Sequence, residues 1–263
     1  MSQSQFVFLD EQERLFCEPV RDGSFRLDLI HIPKTAGSAT ECLAAQHNVS
    51  WGACHWFRSI DGCHVTSCPP HPPRKAYSPD FKIPYWHLPI PYYQYESKKM
   101  KESNLLKWFD NSALFTVVRN PYERVLSEWK YRTKSPDMKD DSSMMNAFVL
   151  KHLNMMEAGR ATNGSLPSLE YFVHDGHFIP QVDYVRNITN SLDEPIQVYI
   201  IRQETWFQGL SCLLSRFGLS WTLQSKKVNK GGGSLSVANF TTETRDLIGR
   251  VYAEDFEFFG YSL

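Results

Sequence analysis

The sequence predicts an α/β fold, a three-layer sandwich around a central and mainly parallel sheet, and three observations carry that prediction. Two apolar runs, residues 27–32 and 114–118, each end in a polar step that opens into a helix. A third run, residues 195–202, leads into an amphipathic helix. Strands alternating with helices return to the same edge of a sheet and pair in parallel. At 263 residues, with 42% hydrophobic and 14% aromatic content, the chain is long and apolar enough for one enzyme-sized domain, expected to span 1–263. A net charge of −1 gives no global attraction to nucleic acid or anionic lipid, so any anion site is local.

The first strand-to-helix step is Leu27-Asp-Leu-Ile-His-Ile-Pro-Lys-Thr-Ala-Gly-Ser-Ala39. Leu27, Leu29, Ile30 and Ile32 suit a buried strand, and Pro33 ends its hydrogen-bond ladder. Gly37 lets backbone N–H groups approach an anion, and Ser38 and Thr40 start a helix whose N terminus favours negative charge. Lys34 adds a movable cation. A Walker A loop does not fit, because no glycine opens the loop and Lys34 precedes Gly37.

The second step, Leu114-Phe-Thr-Val-Val-Arg-Asn-Pro-Tyr-Glu-Arg-Val-Leu-Ser127, repeats the design independently. Residues 114–118 form the strand, Asn120 is the helix N-cap and Pro121 the first helical residue. Arg119 stands at the strand's carboxyl end, Ser127 two turns along the helix, and Arg124 on the same side as Ser127.

Together the two motifs resemble those of sulfotransferases that use 3′-phosphoadenosine 5′-phosphosulfate (PAPS), in particular the branch containing carbohydrate and heparan-type enzymes. The resemblance implies a P-loop-like sulfotransferase fold. It implies that Lys34, Thr35, Ala36, Gly37, Ser38 and Ala39 hold the 5′-phosphosulfate, and that Arg119 and Ser127 hold the 3′-phosphate. The late loop at Lys230 and Gly231, within Lys226-Lys-Val-Asn-Lys-Gly-Gly-Gly-Ser234, would close over the nucleotide. The carboxyl terminus, Tyr252-Ala-Glu-Asp-Phe-Glu-Phe-Phe-Gly-Tyr261, also resembles the family's.

Between the motifs, residues 51–95 are rich in proline and aromatics and are expected to form an irregular inserted substrate lid, with flat amphipathic faces suited to hydroxylated acceptors. Sulfuryl transfer to an alcohol requires a base. His87, in a stretch resembling the family's catalytic-histidine segment, is the first choice and His55 a weaker one, with Lys34 stabilising charge on the leaving oxygen. Trp86 and His55 are expected on the acceptor side, and the resemblance of Phe178-Ile-Pro-Gln-Val-Asp-Tyr-Val185 to a family segment at the substrate side of the cleft implies the same for Gln181 and Asp183. His31 is expected to be a packed or loop-bracing histidine, and the resemblance implies that Glu204 braces a strand end. One terminal helix is expected over 242–259, with Leu247, Val251 and Phe258 in the core. A helix after 202 is expected to bury Trp206, Phe207, Leu210, Leu213, Leu214 and Phe217.

The implied reaction moves a sulfuryl group from PAPS to a hydroxyl of an oligosaccharide or small-molecule alcohol or phenol. Adenosine 3′,5′-bisphosphate is the product, and neither metal nor nucleic acid takes part. The alternatives are a kinase with an atypical phosphate loop, for which no acidic magnesium motif is found, and a non-catalytic nucleotide- or glycan-binding module.

Six cysteines leave the compartment open. Cys54, Cys63 and Cys68 crowd together with His55, His64 and His71 but lack a Cys-x-x-Cys pair, so a local disulfide or free thiols are favoured over a metal site. Cys42 and Cys212 are expected to pack as small hydrophobes. Asn-x-Ser/Thr triplets at Asn48, Asn163, Asn187 and Asn239 suit a lumenal protein. No apolar membrane span or signal peptide is legible, and the balance favours a cytoplasmic protein, or a Golgi-lumenal one if an anchor is missing from the sequence.

Overall fold

Each apolar run forms a strand that is shielded from water. Strands β1 (Phe6–Phe8), β2 (Arg26–Ile30), β3 (Ser112–Val118) and β4 (Val198–Arg202) pair in the order β1-β4-β3-β2. Every pairing is parallel, where a mainly parallel sheet was expected. The computed structural model describes residues 5–9, 26–52, 77–100, 112–133, 135, 138, 140–160, 166–190, 192–223 and 233–263. Helices lie on both sides of the sheet. Among the described residues no helix is long and apolar enough to cross a membrane.

The chain divides into two compact units. The first comprises Met1–Ala76, Pro84–Val118 and Tyr184–Val228 and holds the sheet. The second comprises Tyr77–Ile83, Arg119–Asp183 and Asn229–Leu263. The segment 51–95 is therefore shared between the units, and its part over 53–76 lies outside the described residues.

In the first unit, α1 (Gly37–Gln46) and α6 (Trp206–Arg216) cover one face of the sheet. Leu43 and Ala44 of α1 and Leu210, Leu213 and Leu214 of α6 join Leu27, Leu29, Phe115, Val117, Tyr199 and Ile201, the alternate residues that a pleated strand turns to one side. Gly209 lets α6 approach closely, since a Cβ there would meet Ile201 Cγ2 and the Leu9 carbonyl oxygen at 2.8 Å. Phe207, expected in this stripe, is 48% exposed, because the face that meets the sheet is only as wide as Gly209, Leu210, Leu213 and Leu214. Cys42 and Cys212 are both disulfide-bonded, which corrects the expectation of small hydrophobes. Part of the segment read as irregular is α2 (Ile90–Met100), whose Pro91 sits in the first turn, where no N–H is needed.

The second unit packs α3 (Pro121–Arg132), α4 (Ser142–Ala158), α7 (Thr242–Val251) and α8 (Ala253–Phe259). Asn120, Asp141 and Thr241 cap the first three of these through their side chains. Asn146 ties α4 to the start of α7, donating to the Asn239 carbonyl at 3.0 Å and accepting from Thr241 N at 2.9 Å. The terminal helix is two helices rather than one. Tyr252 breaks it with φ −106° and donates its buried hydroxyl to the Phe178 carbonyl at 2.8 Å. Phe256 and Phe259 then fill the core, while Phe258 is only half-buried. The short helix α5 (Gln181–Val185) leads the chain from the second unit back into the first.

Candidate functional site

After β2 stops at Ile30, residues 31–36 carry the chain into α1. Two of them, Lys34 at φ 69° and Ala36 at φ 77°, take the left-handed conformation without being glycine. That costs an L-residue about 1–2 kcal/mol, a strain that concentrates at ligand sites. Ala36 is the N-cap of α1 and has no polar side chain, so no side chain caps this terminus. Its carbonyl accepts from the amides of Ala39 at 3.0 Å and Thr40 at 3.1 Å. Thr35 is 1% exposed and donates its hydroxyl to the Ile32 carbonyl at 2.8 Å, bracing the loop from inside. Lys34, Ser38 and Ala39 are half-buried at the loop surface. A left-handed turn running into a helix start without a side-chain cap, with a lysine on it, is a backbone arrangement that favours negative charge.

His31 supports this loop. Its Nδ1 lies 2.6 Å from Glu41 Oε1, and the two side chains are 4% and 2% exposed. A Cβ on Gly37 would stand 2.8 Å from the His31 ring, and one on Gly52, at φ +65°, would stand 2.0 Å from Glu41 Oε1. The two glycines make room for the pair, so Gly37 is demanded by His31 packing as well as by any anion. His87, in the 3-10 turn Tyr85–His87, is buried and places its ring centroid 5.3 Å from that of His31. The half-buried Trp86 ring is 6.2 Å from His87. The proposed base and the lysine loop thus meet in one unit through His31, the loop-bracing residue the sequence suggested.

The second motif builds a separate construction in the other unit. Arg119 N donates to Gln181 Oε1 at 2.9 Å, and Gln181 Nε2 donates to the Arg119 carbonyl at 2.8 Å. The Arg119 guanidinium is half-buried and pairs with Glu123 at 3.2 Å, and Ser127 is half-buried along the same helix. Gln181 is itself held by Asp255, whose Oδ2 accepts from Gln181 N at 2.9 Å and whose Oδ1 accepts from Val182 N at 2.9 Å. Burial pushes the Asp255 carboxyl up to about 6, against the pull of these hydrogen bonds.

Two expectations change here. Gln181 is 0% exposed and spent on the Arg119 backbone, so it fixes the arginine's position and does not face an acceptor. Arg124, expected on the same helical side as Ser127, is 2% exposed and donates to the carbonyls of Ile179 at 2.8 Å and His177 at 3.0 Å, which makes it an internal anchor. Asp183 is partly exposed, accepts from the Tyr171 hydroxyl and lies 3.8 Å from Arg160. Glu204 is exposed in the 3-10 turn Gln203–Thr205 after β4.

A third feature was not anticipated. Buried Glu128 receives His177 Nδ1 at 2.6 Å and Arg132 Nε at 2.7 Å. Although burial raises its pKa, these partners bring it down to about 2. Beside them, the His152 and His174 rings lie 4.3 Å apart. Burial, then the neighbouring His152 and Arg132, push His174 down to about 4, and burial also lowers His152.

His55, Lys230, Gly231 and the Cys54, Cys63 and Cys68 group lie outside the described residues. Among those described, no group of three His, Cys, Asp or Glu side chains is arranged to hold a metal ion. Sequence reasoning passed over Glu41, although a lone carboxylate followed by Cys42, Leu43, Ala44 and Ala45 is a signal of a buried charge seeking a partner. No protein-family model matches the chain, and no curated protein or solved structure matches it significantly.

Proposed function

We propose that the chain is a PAPS-dependent sulfotransferase acting on a hydroxyl of a carbohydrate or small-molecule acceptor. One observation carries the reading beyond motif resemblance. Strands β2 and β3 are hydrogen-bonded parallel neighbours, with Ile30 level with Thr116. The Lys34 loop follows β2, and Arg119 follows Val118, the end of β3, so both motifs leave one sheet at its carboxyl edge.

In this reading, the amides of residues 36–38 and the Lys34 ammonium hold the 5′-phosphosulfate, with Ala39 closing the turn behind them, and oppose the charge that grows on the bridging oxygen. The Arg119 guanidinium, fixed through its backbone by Gln181, holds the 3′-phosphate with the Ser127 hydroxyl. PAPS supplies the sulfuryl group and leaves as adenosine 3′,5′-bisphosphate. His87 accepts the acceptor's hydroxyl proton, and the His31–Glu41 pair keeps its surroundings and the loop in place. Trp86 is assigned to the acceptor side; the roles of His55 on that side and of Lys230 and Gly231 at the nucleotide rest on the sequence alone.

Calorimetry with adenosine 3′,5′-bisphosphate, ATP and ADP tests the binding step: the bisphosphate binds, and Lys34→Ala and Arg119→Ala each weaken it at least tenfold. Mass spectrometry of a mixed acceptor panel supplied with PAPS and a metal chelator tests the chemistry. Magnesium-dependent ATP turnover, or bisphosphate binding without turnover on any acceptor, overturns the proposal.

A further inference from the structure

Cys42 and Cys212 belong to the sheet-bearing unit, and both are disulfide-bonded. Cys42 is 3% exposed on α1, and Cys212, on α6, is half-buried and packs against the core cluster. Among the described residues there is no free cysteine. Disulfides persist where thiols are kept oxidised, and are rare in the reducing cytosol.

The Asn-x-Ser/Thr triplets stand out against that chemistry. Of the four, Asn163 lies outside the described residues, and Asn48, Asn187 and Asn239 are all exposed. Asn187 occupies a left-handed turn at φ 53° just after α5, and the next residue, Ile188, is 0% exposed. Asn239 ends the 3-10 turn Val237–Asn239 and is followed by Phe240, 4% exposed. In both triplets the middle residue is anchored in the core and the asparagine is presented at the surface. Asn239 Oδ1 accepts from Ser236 N at 2.8 Å. A substituent on Nδ2 leaves that oxygen's bond intact, so the cap and the modification are compatible.

We propose that this chain matures in an oxidising secretory compartment and carries N-linked oligosaccharides on Asn187 and Asn239, with Asn48 as a further acceptor. The proposal takes the lumenal alternative over the cytoplasmic one. In the modification, Nδ2 bonds to the anomeric carbon of an oligosaccharide supplied on a lipid pyrophosphate. The bond from that carbon to the pyrophosphate oxygen breaks, the lipid pyrophosphate leaves, and the amide releases one proton. A bulky, solvated sugar fits these positions because nothing buried has to move.

Peptide mass spectrometry on the full chain isolated from the cells that make it tests the proposal. The expected result is that peptides spanning Asn187 and Asn239 appear only after peptide N-glycosidase, deamidated at those residues, and that Cys42 and Cys212 resist alkylation until a reductant is added. Unmodified Asn187 and Asn239 peptides, or alkylation of Cys42 and Cys212 without reductant, overturn it. In secreted protein from eukaryotic cells, Asn187→Gln and Thr189→Ala each remove one glycan's step in gel mobility. Thr189→Ala keeps the asparagine and so separates lost modification from lost folding; an unchanged mobility in both variants overturns the assignment of Asn187.

Discussion

His31 Nδ1 and Glu41 Oε1 lie 2.6 Å apart with both side chains withdrawn from solvent, and the loop carrying Lys34 is built on top of them. A buried carboxylate facing an imidazole satisfies both groups, and removal of either leaves the other in a site that offers it no water. Glu41→Ala is expected to lower stability by about 1–3 kcal/mol, the cost of removing a buried hydrogen-bond partner from His31, and Glu41→Gln by less because it keeps a hydrogen-bonding oxygen. Urea unfolding monitored at unchanged slope reads this directly. A Glu41→Ala protein as stable as the parent would show that the pair does not support the loop.

Gly37 gives a sharper test of the same packing. Its missing Cβ leaves 2.8 Å to the His31 ring, a distance no real Cβ contact tolerates, so Gly37→Ala is expected to cost about 1–3 kcal/mol by overpacking and to weaken adenosine 3′,5′-bisphosphate binding. Shortening the obstructing side chain relieves the clash. In a double-mutant cycle, Gly37→Ala is therefore milder in a His31→Ala background than alone. Strict additivity would mean that the glycine serves only the anion.

The strands were legible because runs such as Leu114-Phe-Thr-Val-Val118 are apolar and β-branched enough to suit nothing but a buried sheet, and the Asn120-Pro121 junction specifies a helix start by itself. The bend at Tyr252 was not, because it is set by a hydroxyl reaching the Phe178 carbonyl, 74 residues away in sequence. Proline misled at residues 90–95, the end of the segment expected to be irregular, where Pro91 opens the helix Ile90–Met100 instead of preventing one. β1, three residues long, shows no period to read. In the candidate site, Lys34 stands out by residue type in its loop, while the roles proposed for Arg119 and His87 come from the resemblance of their segments to a family. Glu41 and the Gln181–Asp255 clamp exist only through contacts between distant segments, which periodicity does not encode.

Arg119 and Arg124, five positions apart, are expected to fail in opposite ways. The Arg119 guanidinium is partly exposed and pairs with a surface carboxylate, an arrangement worth up to about 1 kcal/mol. Arg119→Ala should leave the melting temperature nearly unchanged while abolishing bisphosphate affinity. Arg124 is buried on two backbone carbonyls, and Arg124→Met strands both, costing about 3 kcal/mol. Thermal melts and calorimetry on the two variants separate ligand from anchor. The reverse pattern would assign the phosphate to Arg124.

Gln181→Ala removes the hydrogen bonds to both the amide and the carbonyl of Arg119 and withdraws one donor from Asp255. Because the guanidinium itself is untouched, the expected result is weaker bisphosphate binding with an unaltered preference for the bisphosphate over ATP, together with a stability loss of about 2 kcal/mol. Unchanged affinity in the variant would show that the backbone clamp does not position Arg119 for a ligand.

Acid should loosen the second unit, and the sign follows from the histidines. His174 is held down to about 4 and His152 is lowered too, while in the unfolded chain both titrate near the ordinary 6.5. Below about 6.5 the unfolded chain binds protons that the folded one refuses, so stability falls as pH drops from about 6.5 towards about 4. Glu128, lowered to about 2, adds a loss in the same direction, from its ordinary range downward. Asp255, raised to about 6, acts oppositely: its ionised form is penalised in the fold, so its contribution improves as pH falls through 6. Removing His174 isolates the first effect. His174→Gln is expected to flatten the decline of melting temperature between pH 6.5 and about 4.5 relative to the parent, with little change at pH 8, where the parent histidine is neutral in both states. A parent melting temperature that rises on acidification across this range would mean that Asp255 outweighs the histidine pair.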